Sequence, residues 1–181
     1  MACALVEHKY HWVHWAKYFR EVLLLEFEHI VQVNDLNDDS ITDLTRQQLW
    51  QGLVLRARSP EKFNRSLACE AESVTENEFL RTITVGDTQF CERVLLHPEE
   101  KIHTSTIAEV AQIEAESVTT IEEPESGFLF VRFSYKRDLE EYDERVDVAE
   151  HLKSAYVQVD RDAIAMIRML AEAELFDQLI N

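Results

Sequence analysis

Two charges at a fixed offset are the first residues in this chain that could do chemistry. Val85-Gly86-Asp87-Thr88 reads as a two-residue hairpin turn with glycine first, the type II′ pattern. Such a turn fixes the register of the strands it joins, so partner numbers sum to 173: Ile83 faces Phe90, Arg81 faces Glu92 and Phe79 faces Val94. One face then carries Phe79, Ile83, Phe90 and Val94 around the Arg81/Glu92 pair, while Thr82, Thr84, Gln89, Cys91 and Arg93 form a solvent pattern on the other. On an inward face the two charges must pair or be solvated, because either alone is expensive to bury. Three readings stay open: an ion pair under a packed core, a polar anchor inside a cavity, or two surface charges if the register slips by one and every face reverses.

His29 is the second candidate. Over residues 24–33, Leu25, Phe27, His29, Val31 and Val33 alternate with Glu26, Glu28 and Gln32, the pattern of a half-buried strand that sets His29 on the apolar face. A histidine there is either hydrogen-bonded within the core or a general acid or base. His8, His11 and His14 lie among Trp12, Trp15, Tyr18 and Phe19. At about 100° per residue they spread over roughly a third of a helix circumference, so they make no metal site by themselves, and no metal is expected. Trp12, Trp15, Phe19 and Val22 recur at helical spacing, which predicts a short docking helix or sequence upstream of the domain proper.

Other chemistries find little support. Cys3, Cys69 and Cys91 are odd in number and lack Cys-x-x-Cys spacing, so neither a disulfide framework nor a thiolate zinc site is indicated, and a reducing, cytoplasmic setting is expected. Three glycines in 181 residues leave no Gly-rich phosphate loop, and no nucleotide or other cofactor is expected. With 18 Lys+Arg against 35 Asp+Glu the net charge is −17, which argues against nucleic acid and anionic membrane surfaces as partners. No apolar run reaches the about 18 residues that a membrane span needs. Glu7 cuts short the apolar opening MACALV before it reaches signal-peptide length. The 46% hydrophobic content suffices for a buried core, and the length predicts one domain, monomeric or weakly dimeric.

These residues need elements to hold them. Thr45 as N-cap with Gln48 three residues on forms a capping box, flanked by Leu44 and Leu49 as a hydrophobic staple, so a helix is expected over 44–58 with Leu49, Trp50, Leu53 and Val54 inward. Gly52 within it predicts close backbone contact or cavity space. Ser59-Pro60 restarts a second short helix, with Ser59 as cap and Pro60 at the first helical position, giving a V-shaped pair. Arg56 and Arg58, at the end of the first helix, either guard a pocket mouth or face water, with water the default. Strands are expected at 67–74, 79–85, 88–96, 102–107, 113–121 and 128–135. From Asp138 a single helix of about 40 residues, roughly 60 Å, is expected to reach Asn181. Val148, Leu152, Ala155, Tyr156, Val159, Ala163, Met166, Ile167, Leu170 and Ala171 form its apolar side.

Strand, helix pair, six strands and a long helix is an order that resembles the START / Bet v 1-like, helix-grip superfamily. More narrowly, VQVND (31–35), LTRQQLWQGLVLRARSPEKF (44–63), CERV (91–94) and AYVQVDRDAIAMIRMLAEAELF (155–176) resemble the AtaL-like family within it. The likeness covers about residues 24–178 and leaves 1–22 outside as an extension to a single domain at 23–181. It implies an α+β fold with a curved seven-stranded antiparallel sheet around the C-terminal helix, and an internal cavity for a hydrophobic or aromatic small molecule. It does not imply a reaction. As a binding module the chain would line that cavity with Trp50, Phe79, Ile83, Phe90, Tyr135, Tyr156 and Met166, and orient a polar group with Arg81, Glu92 and His29. As a cofactor-free enzyme of the cyclase, dehydratase or hydrolase type it would use Glu92 or His29 as acid or base and Arg81 against a developing oxyanion. A protein-interaction domain with a filled core is the remaining reading. The reading leans away from an enzyme.

Overall fold

A computed structural model describes residues 23–38, 41–107, 113–139 and 148–176. The histidines and aromatic stripe of residues 1–22, with Cys3, lie outside the described residues. The element order is β1 (Leu23–Gln32), α1 (Arg46–Arg58), a 3-10 turn (Pro60–Lys62), β2 (Ala68–Thr75), β3 (Glu78–Val85), β4 (Thr88–His97), β5 (Lys101–Thr106), β6 (Ala115–Glu122), β7 (Phe130–Leu139) and α2 (Val148–Glu172). The strands form one antiparallel sheet in the order β1-β7-β6-β5-β4-β3-β2, with α1 and α2 packed together against it. This is the expected α+β helix-grip arrangement.

The hairpin arithmetic holds. Arg81 pairs with Glu92, Ile83 with Phe90 and Phe79 with Val94, around a turn in which Gly86 takes a φ of +58°. Across the sheet these pairs extend into rows on the inner face. One row runs Phe27, Tyr135, Ser117, Thr104, Val94, Phe79; the next runs Leu25, Arg137, Ala115, with Thr106, Glu92 and Arg81 beyond.

The capping box at Thr45 forms in full, with Thr45 accepting from the Gln48 backbone and Gln48 accepting from the Thr45 backbone. Buried Leu44 and Leu49 both join the core. Gly52 lets the helices touch: a Cβ there would lie 2.5 Å from Cγ2 of Ile167 on α2. Asn34, in the VQVND segment, is buried with its side chain fully used. It donates to the carbonyls of Leu44 and Gly127 and accepts from the Leu44 N–H, tying the approach to α1 to the β6–β7 turn.

Several expectations need correction. The long helix does not start at Asp138, because Arg137 and Leu139 continue the inward alternation of Tyr135 while β1 supplies ladder partners as far as Leu23. The described helix begins at Val148. Its apolar side is also rotated from the expected one: Ala155 and Val159 are exposed, and Asp160 is fully buried. Nor does the helix run to Asn181, since Glu174 adopts a φ of +56° and the N–H groups of Leu175 and Glu174 return to the carbonyls of Leu170 and Ala171. That is a Schellman closure, with Leu170 in the core and Leu175 packed against that core. The second short helix is a single 3-10 turn, and Ser59 precedes Pro60 without a side-chain cap. Inside β6 the strand starts at Ala115 rather than at Ile113.

Candidate functional site

The best-buried charge in the described chain organises the site. Asp160, on α2, has no exposed surface. Its Oδ2 accepts from Nε2 of His29 on β1 at 2.7 Å and from the hydroxyl of Tyr135 on β7 at 2.7 Å, and its Oδ1 accepts from Nη2 of Arg56 on α1 at 2.6 Å. Four elements therefore meet at one carboxylate. A buried carboxylate tolerates burial only when paired and fully hydrogen-bonded, as this one is. Burial, reinforced by the Asp160 charge and opposed by Arg56, pushes the Tyr135 phenol well above its ordinary value, so it stays a neutral donor. Arg56 also lies 5.6 Å over the Phe133 ring.

Beside this node lies a half-open pocket of about 470 Å³ between the sheet and the two helices. Leu53, Ala57, Phe63, Ile83, Ile102 and Ala163 give it apolar walls, and Arg56, Arg81, Glu92, Tyr135, Arg137 and Tyr156 give it polar ones. Volume and composition match the usual small-molecule site, mostly apolar with a few convergent polar groups. Arg81 donates from Nε to Glu92 at 2.7 Å and from Nη1 to the Ala57 carbonyl at 2.5 Å. It thus pairs across the hairpin and also caps the last turn of α1, where carbonyls accumulate partial negative charge. The charged pair is half-buried and lies on the pocket wall, and the slipped register does not occur.

One wall is aromatic. Tyr135 and Tyr156 stack with centroids 4.4 Å apart and planes 12° apart, and Phe27 stacks on Tyr135 at 5.3 Å. Arg137 donates from Nη1 to the Tyr156 hydroxyl at 2.9 Å.

Of the expected site residues, Arg81, Ile83, Glu92, Tyr135 and Tyr156 come together on the pocket. Phe79 is fully buried in the core instead, Trp50 and Met166 pack against that core, and Phe90 is half-buried beyond Ile83 without joining the wall. His29 is hydrogen-bonded within the interior, at the node rather than on the pocket. Arg56 departs from its solvated default by binding Asp160, whereas Arg58 lies 4.4 Å over the Phe79 ring. Sequence reasoning missed Asp160 and Arg137. Asp160 falls four residues after Tyr156 and three before Ala163, a carboxylate on the apolar stripe, and that was its signal. Arg137 shares the face of Tyr135 by simple alternation, in the part of β7 that lies past the expected strand end at Tyr135.

Burial raises the Cys69 thiol, partly offset by Arg81, so it is not poised as a thiolate. Among the described residues no group of three His, Cys, Asp or Glu side chains could hold a metal ion, and no helix is long and apolar enough to cross a membrane.

Among curated protein sequences none matches. Of solved structures, the di-domain aromatase/cyclase StfQ from the steffimycin biosynthetic pathway aligns with a TM-score of 0.62 at 12% identity, over 84% of this chain and 52% of that one. The chain thus spans about half the length of that di-domain protein. The Zhui aromatase/cyclase from Streptomyces sp. R1128 aligns at 0.58 and 11% identity, over 84% and 95% of the two chains. A norcoclaurine synthase point mutant from Thalictrum flavum, in complex with a transition-state analogue, aligns at 0.58 and 10%, over 83% and 98%. At such identities the likeness is one of fold, the Bet v 1-like helix grip. Residues 31–174 match the family model described as AtaL, acetylaranotin biosynthesis cluster protein L. That match takes in both helices, six of the seven strands and the end of β1, and with it the chain belongs to the AtaL family.

Proposed function

We propose that the protein binds a hydrophobic or aromatic small molecule in the pocket between sheet and α2. The observation that carries this reading is the pocket wall itself, where apolar side chains and stacked phenols surround a few anchored polar groups. Asp160 holds Arg56 and Tyr135 in place, so the polar groups are set before a ligand arrives and binding loses little side-chain entropy. Native mass spectrometry of protein purified from its own host, followed by denaturing extraction, tests it. A small molecule released on unfolding is the expected result. A clean apo mass, together with no uptake of the neutral dye N-phenyl-1-naphthylamine, would sink the reading and favour an interaction domain with a filled core.

A cofactor-free cyclase, dehydratase or hydrolase is the second reading, favoured by one observation: Glu92 and Arg81 face the same pocket as a carboxylate and a guanidinium. The aromatase/cyclases and the synthase that share the fold make it worth testing. Once a ligand is in hand, Glu92→Gln separates the two. An enzyme using Glu92 as acid or base loses about 100-fold or more in turnover while keeping affinity. A binding protein changes in affinity alone.

A further inference from the structure

The arginines on the pocket are not equivalent. Arg56 is committed to Asp160 and Arg81 to Glu92. Arg137 has no carboxylate partner among the described residues, although the chain carries nearly twice as many acids as bases. Among the described residues its side chain hydrogen-bonds the Tyr156 hydroxyl alone, from Nη1, and its Nε is shielded from solvent with no acceptor. Among the described residues, then, Arg137 is a guanidinium without a carboxylate and with an unused donor on the wall of a mostly apolar pocket, an unfinished ion pair.

We propose that the ligand of this pocket is an acid: a planar aromatic or conjugated molecule whose carboxylate, or similarly shaped anion, docks on Arg137 beside Tyr156. A guanidinium presents parallel N–H donors that match a carboxylate, and the anion supplies both the missing charge and the missing acceptor. The ring system of the ligand lies against the Tyr156 and Tyr135 rings, whose stacked planes suit a flat partner. Other charges reinforce this placement. Glu116 and Asp162 also line the pocket and repel an anion from its other parts, and since the remaining lining cation, Lys136, is exposed to water, the shielded Arg137 is the favoured station.

The proposal rests on the binding reading, and a pair of fluorescent probes separates the two. N-phenyl-1-naphthylamine is neutral, and 8-anilinonaphthalene-1-sulfonate carries the same aromatic system with an anionic group. Wild-type protein is expected to bind both. Arg137→Met is expected to weaken the sulfonate by about tenfold or more while leaving the neutral probe within about twofold, and Arg137→Lys to recover part of the loss. Equal effects on both probes overturn the proposal and leave the binding reading standing; uptake of neither probe by wild-type protein removes both. If Arg137→Met does not fold, wild-type protein decides by competition. 1-Naphthoate is expected to displace the neutral probe at least about ten times better than its methyl ester, and equal displacement overturns the proposal.

Discussion

Tyr135 reaches from the pocket wall to a carboxylate that water does not touch, and this shapes how the protein responds to alkali. Burial raises its phenol above the ordinary value of 10.0, so the folded chain keeps the proton where the unfolded chain releases it. A raised pKa contributes stability that is present below the unfolded value and lost as pH climbs past it. Between pH 9.5 and 11, the unfolding free energy of wild type from urea titrations is therefore expected to fall more steeply than that of Tyr135→Phe, by up to about 1.4 kcal/mol per pH unit above pH 10. Parallel slopes would show that this phenol ionises in the folded state as freely as in the unfolded one. The same scale shows what sequence could and could not reveal. Arg81 and Glu92 were legible because a glycine-first turn fixes the register, and their pairing followed by counting. The partnership of Asp160 with His29, Arg56 and Tyr135 was not, because it joins residues up to 131 positions apart and no local pattern encodes which segments meet.

Helix α1 meets α2 at Gly52, and the fit there is tight enough to set the sign of a substitution. In a helix interior alanine is ordinarily better than glycine by about 1 kcal/mol. Here the added methyl collides with Ile167, which is itself fully buried and has no room to retreat. Overpacking costs about 1–3 kcal/mol, so Gly52→Ala is expected to lower stability by up to about 2 kcal/mol net. Denaturant midpoints measure this directly, and a stabilised variant would mean that the two helices part easily. The capping box and hydrophobic staple made the start of α1 legible from four neighbouring residues. Its partner's ends were not, for physical reasons that differ at each end. At the start, Arg137 and Leu139 fit a strand by alternation and a helix by composition, and only the β1 ladder decides. At the finish a glutamate, Glu174, takes the left-handed position where glycine would have announced the stop.

Over the whole molecule, 18 bases can neutralise at most 18 of 35 acids, so at least 17 negative charges repel one another. The ion pairs at the node and across the hairpin are largely buried and weakly screened, whereas among the described residues no acid other than Asp160 is fully buried. Raising the salt from about 20 mM to about 500 mM is accordingly expected to raise Tm by about 2–4 °C. A fall would mean that exposed pairs such as Arg132 with Glu28 and Glu122 outweigh the self-repulsion. The meeting of β1, α1, β7 and α2 at Asp160 also has a consequence in time. A ribosome delivers His29, Arg56 and Tyr135 before the aspartate that unites them, and at about 5–20 residues per second the 104 residues between Arg56 and Asp160 take about 5–20 s. Throughout that interval the inner face of the nascent sheet lacks α2 to cover it. A chain stalled before Asp160 leaves that apolar surface, and Arg56 without its carboxylate, open to holding chaperones and to proteases, so completion of α2 is what shields the newly made protein.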